Sequence, residues 1–151
     1  MFFAAYILLQ RKLMNNFISM PPPSEFENVF NRLKAILQKH CGTYTIKPDT
    51  NISYGLQGKP GPATLKAWGG KMKKPVMPVA WIEIGKSYVS YHILALYMNT
   101  SLQNSMSKEL KTRMQGKTCF NFKTVNEELF KELDQLTVRS IDSFKKMGFV
   151  E

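Results

Sequence analysis

The chain has 151 residues, of which 44% are hydrophobic and 21% charged, a composition typical of one globular domain and not of a disordered protein. Its 21 basic and 11 acidic residues give a formal charge of +10, and residues 32–117 hold 14 basic residues against Asp49, Glu83 and Glu109. Such a field attracts phosphates, nucleic acid or an anionic membrane, and it also keeps a small protein in solution. Because acids are sparse there, the sequence disfavours an enzyme that depends on paired carboxylates.

Residues 1–20 are predicted to be an extension outside the domain. Their apolar run, residues 2–9, is far shorter than the ~20 residues that cross a bilayer, and positive charge follows it, unlike a secretory signal. We expect this segment to be disordered or to precede the true start at Met14 or Met20, with a weak interfacial anchor as the alternative. No transmembrane segment is predicted. The two cysteines lack metal-binding spacing and favour a reducing, cytoplasmic location.

A helix begins the single domain that we assign to residues 21–151. Ser24 and Glu27 have the spacing of a capping box, and apolar residues recur at helical spacing from Phe26 to Leu37. Gly42 is predicted to end this helix as its left-handed C-terminal residue. We interpret His40, just before it, as a capping residue.

Two short strands, "TYTIK" and "NISYGL", are predicted next, and a glycine- and proline-rich stretch follows at residues 55–78. Within this stretch "ATLKAW" is interpreted as a strand and the remainder as loop. The stretch has no acid, and its lysines are candidates for binding an anion through ammonium and backbone N–H groups. These lysines are Lys59, Lys66, Lys71, Lys73 and Lys74. A solvated connection is the alternative interpretation.

The segment "VMPVAWIEI-GK-SYVSYHIL" has the pattern of a β-hairpin with a two-residue turn at Gly85-Lys86. That turn predicts pairs running from Ile84 with Ser87 to Val79 with His92. Alternation along the strands then places one set of side chains in the core and a second set on an amphipathic face. The core set is Ile82, Ile84, Val89, Tyr91 and Ile93. The second set, our candidate ligand-binding residues, is Trp81, Glu83, Tyr88, Ser90 and His92.

The groups of this second set suit a small polar ligand, with Glu83 and His92 as a base or as metal ligands. In the predicted register these two residues lie about 13 Å apart along the hairpin, too far to share one ion. The alternative interpretation is an ordinary half-exposed sheet face whose side chains pair across strands.

The C-terminal third predicts a short helix in "MSKELKTRMQG" up to Gly116, a brief strand in "KTCFNF", and a long helix with a capping-box spacing at Thr124 and Glu127. The acids Glu127, Glu128 and Glu132 at the start of that helix are weak candidates for a metal site, and they also suit the helix dipole. No catalytic residue is assigned, because the chain has no nucleophile elbow, P-loop, dinucleotide fingerprint or HExxH motif.

These elements predict an α+β fold: an antiparallel sheet of about five or six strands, packed by an N-terminal helix and C-terminal helices. The segments "ISYGL", "KPVMPVAWIEIGKSYVSYHILALY", "SKELKTRMQGKTCFNFKTV" and "LFKELDQLTV" together resemble the YdhG-like domain family of unknown function, which is common in bacteria. The resemblance covers roughly residues 24–148. It is a pattern of strands and turns, so it is more specific for the fold than for an activity.

No cofactor is assigned from the residues themselves; the resemblance adds iron as a candidate, because some members of the wider family are described as frataxin-like iron chaperones. That function depends on acidic surface residues. This chain departs from the pattern, since Glu25 and Glu27 are the only acids of the first predicted helix and the sheet region is basic. Hard iron prefers carboxylate oxygens, so a positive sheet region argues against an acidic iron-loading ridge.

The sequence therefore predicts a cytoplasmic, non-enzymatic binding protein for a small ligand, a metal or a protein partner. An iron chaperone is the alternative that follows from the resemblance. A module that binds nucleic acid or another polyanion is the alternative that follows from the charge.

Overall fold

The structure is a computed structural model and describes residues 24–151. The predicted extension at residues 1–20 lies outside the described residues. In chain order, the elements are α1 (Glu25–Gln38), β1 (Thr45–Asp49), β2 (Ser53–Gly58), α2 (Pro62–Ala67), β3 (Met77–Ile84), β4 (Val89–Ile93), α3 (Ala95–Met98), α4 (Thr100–Asn104), α5 (Lys108–Thr112), β5 (Met114–Gln115), β6 (Cys119–Phe122) and α6 (Glu127–Lys146).

The strands form one six-stranded sheet in the order β1-β2-β3-β4-β6-β5, and every neighbouring pair is antiparallel. Helix α1 packs against β2, β3 and β4 on one side of the sheet, where it also contacts α6. This arrangement confirms the predicted α+β fold and the predicted number of strands.

The side of the sheet that meets α1 and α6, here called the inner face, forms the core. Alternate residues of the central strands are buried there, including Ile82, Tyr91 and Phe120. The Tyr91 hydroxyl, wholly buried, lies 2.7 Å from the Thr137 hydroxyl of α6, which in turn donates to the Leu133 carbonyl oxygen at 2.7 Å. The sheet and α6 are thus joined by apolar packing and by the hydrogen bond between Tyr91 and Thr137.

Helix α1 begins with the predicted capping box. The Glu27 amide donates to Ser24 Oγ at 3.2 Å, and the Ser24 amide donates to the Glu27 carboxylate at 2.7 Å. The prediction for its end is wrong, because Gly42 does not adopt a left-handed conformation. The helix ends at Gln38 with Lys39 as its C-cap, and the His40 carbonyl oxygen accepts from the amides of Thr43 and Tyr44, so the chain turns without a left-handed residue.

The interpretation of "ATLKAW" as a strand is also wrong, since residues 62–67 form helix α2. Pro62 occupies the first turn of this helix, where its missing N–H costs no intrahelical bond. The helix is tied to the C-terminus: Thr64 Oγ1 donates to the Phe149 carbonyl oxygen at 2.7 Å, and the Ala63 amide donates to the Gly148 carbonyl oxygen at 2.8 Å. These distant contacts were not visible in the local pattern.

Two other local predictions are corrected. Helix α6 is capped by Asn126, whose side chain accepts from the Leu129 amide, and not by Thr124. The predicted helix up to Gly116 ends earlier, at Thr112, and Met114 belongs to strand β5. The long helix itself and its predicted inward residues are confirmed as buried: Leu129, Phe130, Leu133, Leu136, Ile141 and Phe144.

Candidate functional site

The side of the sheet opposite α1 and α6, here called the outer face, carries polar and aromatic side chains arranged in two rows across the strands. The strand register places residues of one row directly opposite each other: Gly55, Trp81, His92, Cys119 and Gln115. The second row is Ser53, Glu83, Ser90 and Asn121. Most of these side chains are half-buried, and Glu83 and Gln115 are exposed.

The register differs from the predicted one because the β3–β4 connection is a four-residue loop, residues 85–88, and not a two-residue turn. Ile84 pairs with Val89, Glu83 with Ser90, and Trp81 with His92. The shift is two residues in the strand pairing, an even number, so each side chain keeps its predicted face while its cross-strand partner changes.

A stacked pair of rings lies at the centre of the first row. The Trp81 and His92 rings have centroids 4.6 Å apart and planes inclined by 8°. Their stacking follows from the register, since directly opposed side chains of antiparallel strands have Cβ atoms about 4.5–5.5 Å apart. The pair gives the outer face a central aromatic stack whose two side chains are half-buried.

Hydrogen bonds extend from this stack across β4, β6 and β5. His92 Nε2 lies 3.2 Å from Ser90 Oγ and 3.9 Å from Cys119 Sγ, and the Cys119 thiol donates to Asn121 Oδ1 at 3.3 Å. Asn121 Nδ2 then donates to Gln115 Oε1 at 2.7 Å. The Tyr88 hydroxyl donates to the same Gln115 oxygen at 3.2 Å. The outer face therefore holds its polar groups in a connected, ordered network.

Two titratable groups of this network, His92 and Cys119, favour their neutral forms. Burial lowers the pKa of His92, and the nearby Glu83 carboxylate opposes that effect only in part. Burial also raises the pKa of the Cys119 thiol, and the negative charge of Glu83 raises it further. Lys117, which would have favoured a thiolate, lies over the Tyr97 ring at 5.2 Å instead. A neutral imidazole beside a protonated thiol suits hydrogen bonding better than nucleophilic attack.

The β2 side of the stack has no side chain in the way, because Gly55 pairs with Trp81. A Cβ atom at Gly55 would lie 3.0 Å from the Lys47 carbonyl oxygen and 3.1 Å from Trp81 Cβ. Glycine at this position thus allows β1 to approach the Trp81 side chain closely.

All five predicted ligand-binding residues lie on the outer face, and the structure brings them closer together than expected. Glu83 lies opposite Ser90, and His92 lies opposite Trp81, so Glu83 and His92 are diagonal neighbours. The predicted register placed them about 13 Å apart. Diagonal neighbours on a sheet have a spacing of about 7–8 Å, which explains why Glu83 acts on the pKa of His92.

Sequence reasoning missed the β5 and β6 part of the site, namely Gln115, Cys119 and Asn121. The sequence predicted a brief strand in "KTCFNF", but no local signal shows that β6 pairs with β4. Their place beside His92 and Ser90 depends on that pairing.

The five candidate lysines of the 55–78 stretch are all exposed, and in residues 24–151 none of them forms an ion pair. Lys66 lies in α2 and the other four lie in the segments before and after it. The structure shows no hydrogen bond that orders their ammonium groups within the described part of the chain.

The candidate metal ligands do not form a metal site. Glu127 pairs with Arg32, and the Glu132 carboxylate accepts from the Ser107 amide and hydroxyl, both at 2.7 Å. Glu128 is exposed. Within the described residues, no group of three or more His, Cys, Asp or Glu side chains is close enough to hold an ion.

No family model, no curated protein and no solved structure matches the chain. No helix in the described part of the chain combines the length and apolar character needed to cross a bilayer.

Proposed function

We propose that the protein is a non-enzymatic binding protein whose outer face holds a small, neutral, planar ligand with hydrogen-bonding groups. The observation that carries this proposal is the Trp81–His92 stack at the centre of an ordered polar network. An aromatic ligand placed against the half-buried stack would make the edge-to-face contact that aromatic pairs favour. Ser90, Asn121 and Gln115 offer hydroxyl and amide groups beside it.

The neutral state of the site supports an uncharged ligand. His92 and Cys119 carry no charge at neutral pH when burial shifts their pKa values in the directions found, and a protonated thiol does not attack an electrophile. Exposed Glu83 at the edge of the site adds one acceptor for a ligand N–H group. The two unpaired cysteines, exposed Cys41 and half-buried Cys119, support the proposal of a reducing, cytoplasmic location.

The chain offers a built-in fluorescence test, because it has two tryptophans and Trp68, 67% exposed, lies outside the site. The Trp68→Phe variant retains Trp81 as its one tryptophan reporter, and the Trp81→Phe variant retains Trp68. Adenosine and nicotinamide serve as neutral planar probes. We expect saturable fluorescence quenching in Trp68→Phe with at least one probe, and only the linear collisional response in Trp81→Phe. Equal responses of the two variants would contradict the proposal.

Polyanion binding is a second candidate function, favoured by the exposed and unpaired lysines of the 55–78 stretch. Each phosphate neutralised by a lysine contributes about −0.7 to the slope of log K against log salt for a single strand. Replacement of Lys71, Lys73 and Lys74 by glutamine should therefore weaken binding to a single-stranded oligonucleotide and flatten that slope. The matched control replaces Lys108, Lys111 and Lys131, which are exposed on α5 and α6. Equal losses in both triple variants would contradict a localised site.

Iron delivery, the proposal that follows from the resemblance, has no cluster of metal ligands to support it in residues 24–151. An anaerobic thermal-unfolding titration with Fe(II) tests it. A saturable rise of the unfolding midpoint would favour iron binding, because a ligand selective for the native state stabilises by RT ln(1 + [L]/Kd). A flat response would exclude it at useful affinity.

A further inference from the structure

A separate cavity lies on the helix side of the sheet, between the turn that follows α1 and the second half of α6. Its volume is about 320 Å³, within the range of roughly 300–1,000 Å³ typical of small-molecule sites. His40 and Tyr44 form part of one wall, and Arg139, Ile141, Asp142 and Lys145 of α6 form part of the other. The outer face contributes no residue to this cavity.

Two residues of the cavity wall carry buried polar atoms that lack partners. In the described part of the chain, three buried side-chain atoms have no hydrogen-bond partner: His40 Nε2, Tyr44 Oη and Ser140 Oγ. The first two belong to residues of the cavity wall, and Ser140 lies on α6 between the wall residues Arg139 and Ile141. Tyr44 is only 5% exposed.

The lack of hydrogen-bond partners at these atoms is informative, because buried polar groups in native proteins almost always have a partner. The partnered hydroxyl of Tyr91 shows that the fold supplies one elsewhere. Two of the three unpaired groups belong to residues that line this cavity, where a bound molecule could complete their hydrogen bonds after small side-chain movements.

The charges of the cavity favour an anion. Asp142 is paired with Lys146 at 3.0 Å, whereas Arg139 and Lys145 have no ion pair with any described residue. The Arg139 guanidinium donates only to Ser105 Oγ, at 3.2 Å, which leaves other N–H donors for a ligand. Guanidinium groups bind carboxylate and phosphate oxygens in bidentate geometry.

We propose that this cavity binds a small carboxylate- or phosphate-bearing molecule. Its anionic oxygens contact Arg139 and Lys145 and accept a hydrogen bond from the Tyr44 hydroxyl, and a further polar group of the ligand completes the hydrogen bonds of His40. Ile141 contacts the carbon skeleton. The volume of this pocket, which is open to solvent on one side, suits a small molecule.

Thermal unfolding of the full chain in sodium phosphate and in sodium acetate tests this proposal, with sodium chloride at the same ionic strength as the reference. We expect a saturable rise of the unfolding midpoint with at least one of the two anions, beyond the effect of chloride. The anion that acts identifies the ligand as a phosphate or a carboxylate. Responses to both anions equal to that of chloride would overturn the proposal.

Three variants locate the effect. Arg139→Gln and Tyr44→Phe should each weaken the apparent affinity about tenfold, because each removes a hydrogen bond to the bound anion. Lys123→Gln removes the same unit of charge from an exposed position between β6 and α6, outside the cavity, and should leave the affinity unchanged. Should Arg139→Gln fail to fold, Tyr44→Phe still tests the proposal, since it removes a single unpartnered oxygen. Unchanged affinity in Tyr44→Phe, or an equal loss in Lys123→Gln, would overturn the proposal.

Discussion

The inner and outer faces of the sheet are built from the same strands, and they differ in how their polar groups are partnered. On the inner face, the Tyr91 hydroxyl is wholly buried and bonded to Thr137. On the outer face, His92, Cys119 and Asn121 are half-buried and bonded mainly to each other. The comparison indicates that the inner face is used for stability, and that the outer face presents ordered groups to solvent at little cost in stability.

The largest expected difference between the faces comes from two adjacent residues of β6. Phe120, 0% exposed, points into the core, and Asn121 lies on the outer face. Phe120→Ala should lower the free energy of unfolding by about 3–5 kcal/mol, because it removes buried surface and leaves a cavity. Asn121→Ala should lower it by about 1 kcal/mol or less. Urea unfolding measures both, and equal losses would remove the distinction between the faces.

The next effect concerns two buried tyrosines, one with a partner and one without. Thr137→Val removes the partner of the Tyr91 hydroxyl and should cost about 1–3 kcal/mol, since that hydroxyl is left unpaired in a site closed to water. Tyr44→Phe removes a hydroxyl that has no partner, so it should leave the free energy of unfolding unchanged or raise it slightly. Chemical denaturation of the two variants checks this order. A larger loss in Tyr44→Phe would contradict it.

A smaller effect is expected for the stacked rings of the outer face. A double-mutant cycle with Trp81→Leu and His92→Leu should give a coupling free energy of about 0.5–1.5 kcal/mol, the usual range for a packed aromatic pair. A cycle between Trp81 and Tyr88 is the control, because Tyr88 is bonded to Gln115 and lies at the other end of the network. A coupling near zero for Trp81 with His92 would mean that the stack is not formed in solution.

The smallest effect is a dependence of stability on pH. Burial lowers the pKa of His40 and of His92 below the ordinary value of 6.5, so near and below that pH the unfolded chain binds more protons than the folded one. Stability should therefore fall as the pH decreases through 6.5, and each imidazole contributes to that fall. His92→Gln should show a shallower decrease of the urea midpoint between pH 7.5 and 5.5 than the unchanged chain. An equal or steeper decrease would place His92 in a solvated site.

Much of the fold was predictable from residues that act locally. Ser24 and Glu27 define the start of α1, and the period-two alternation of β3 and β4 assigns each side chain to a face. The face assignment stayed correct although the predicted turn at Gly85-Lys86 was two residues too short, because an even shift of register preserves the alternation.

The rest depends on contacts between segments that are distant in sequence. Helix α2 was missed because its position is fixed by bonds to residues 148 and 149. The Trp81–His92 stack depends on the observed pairing of β3 with β4. The position of Cys119 beside His92 depends on the pairing of β6 with β4. The cavity beside Tyr44 joins the end of α1 to the second half of α6, about 100 residues later, and no local pattern indicates it.

The most direct test of the outer-face proposal uses the two indole N–H signals of the unmodified chain in a proton–nitrogen NMR spectrum. Trp81 lies in the stack, and exposed Trp68 is an internal control in the same sample. On titration with adenosine or nicotinamide, the outer-face account predicts that the Trp81 signal moves saturably while the Trp68 signal stays in place. If the Trp68 signal alone moves, or if neither signal moves with either compound, the outer face is not the binding surface.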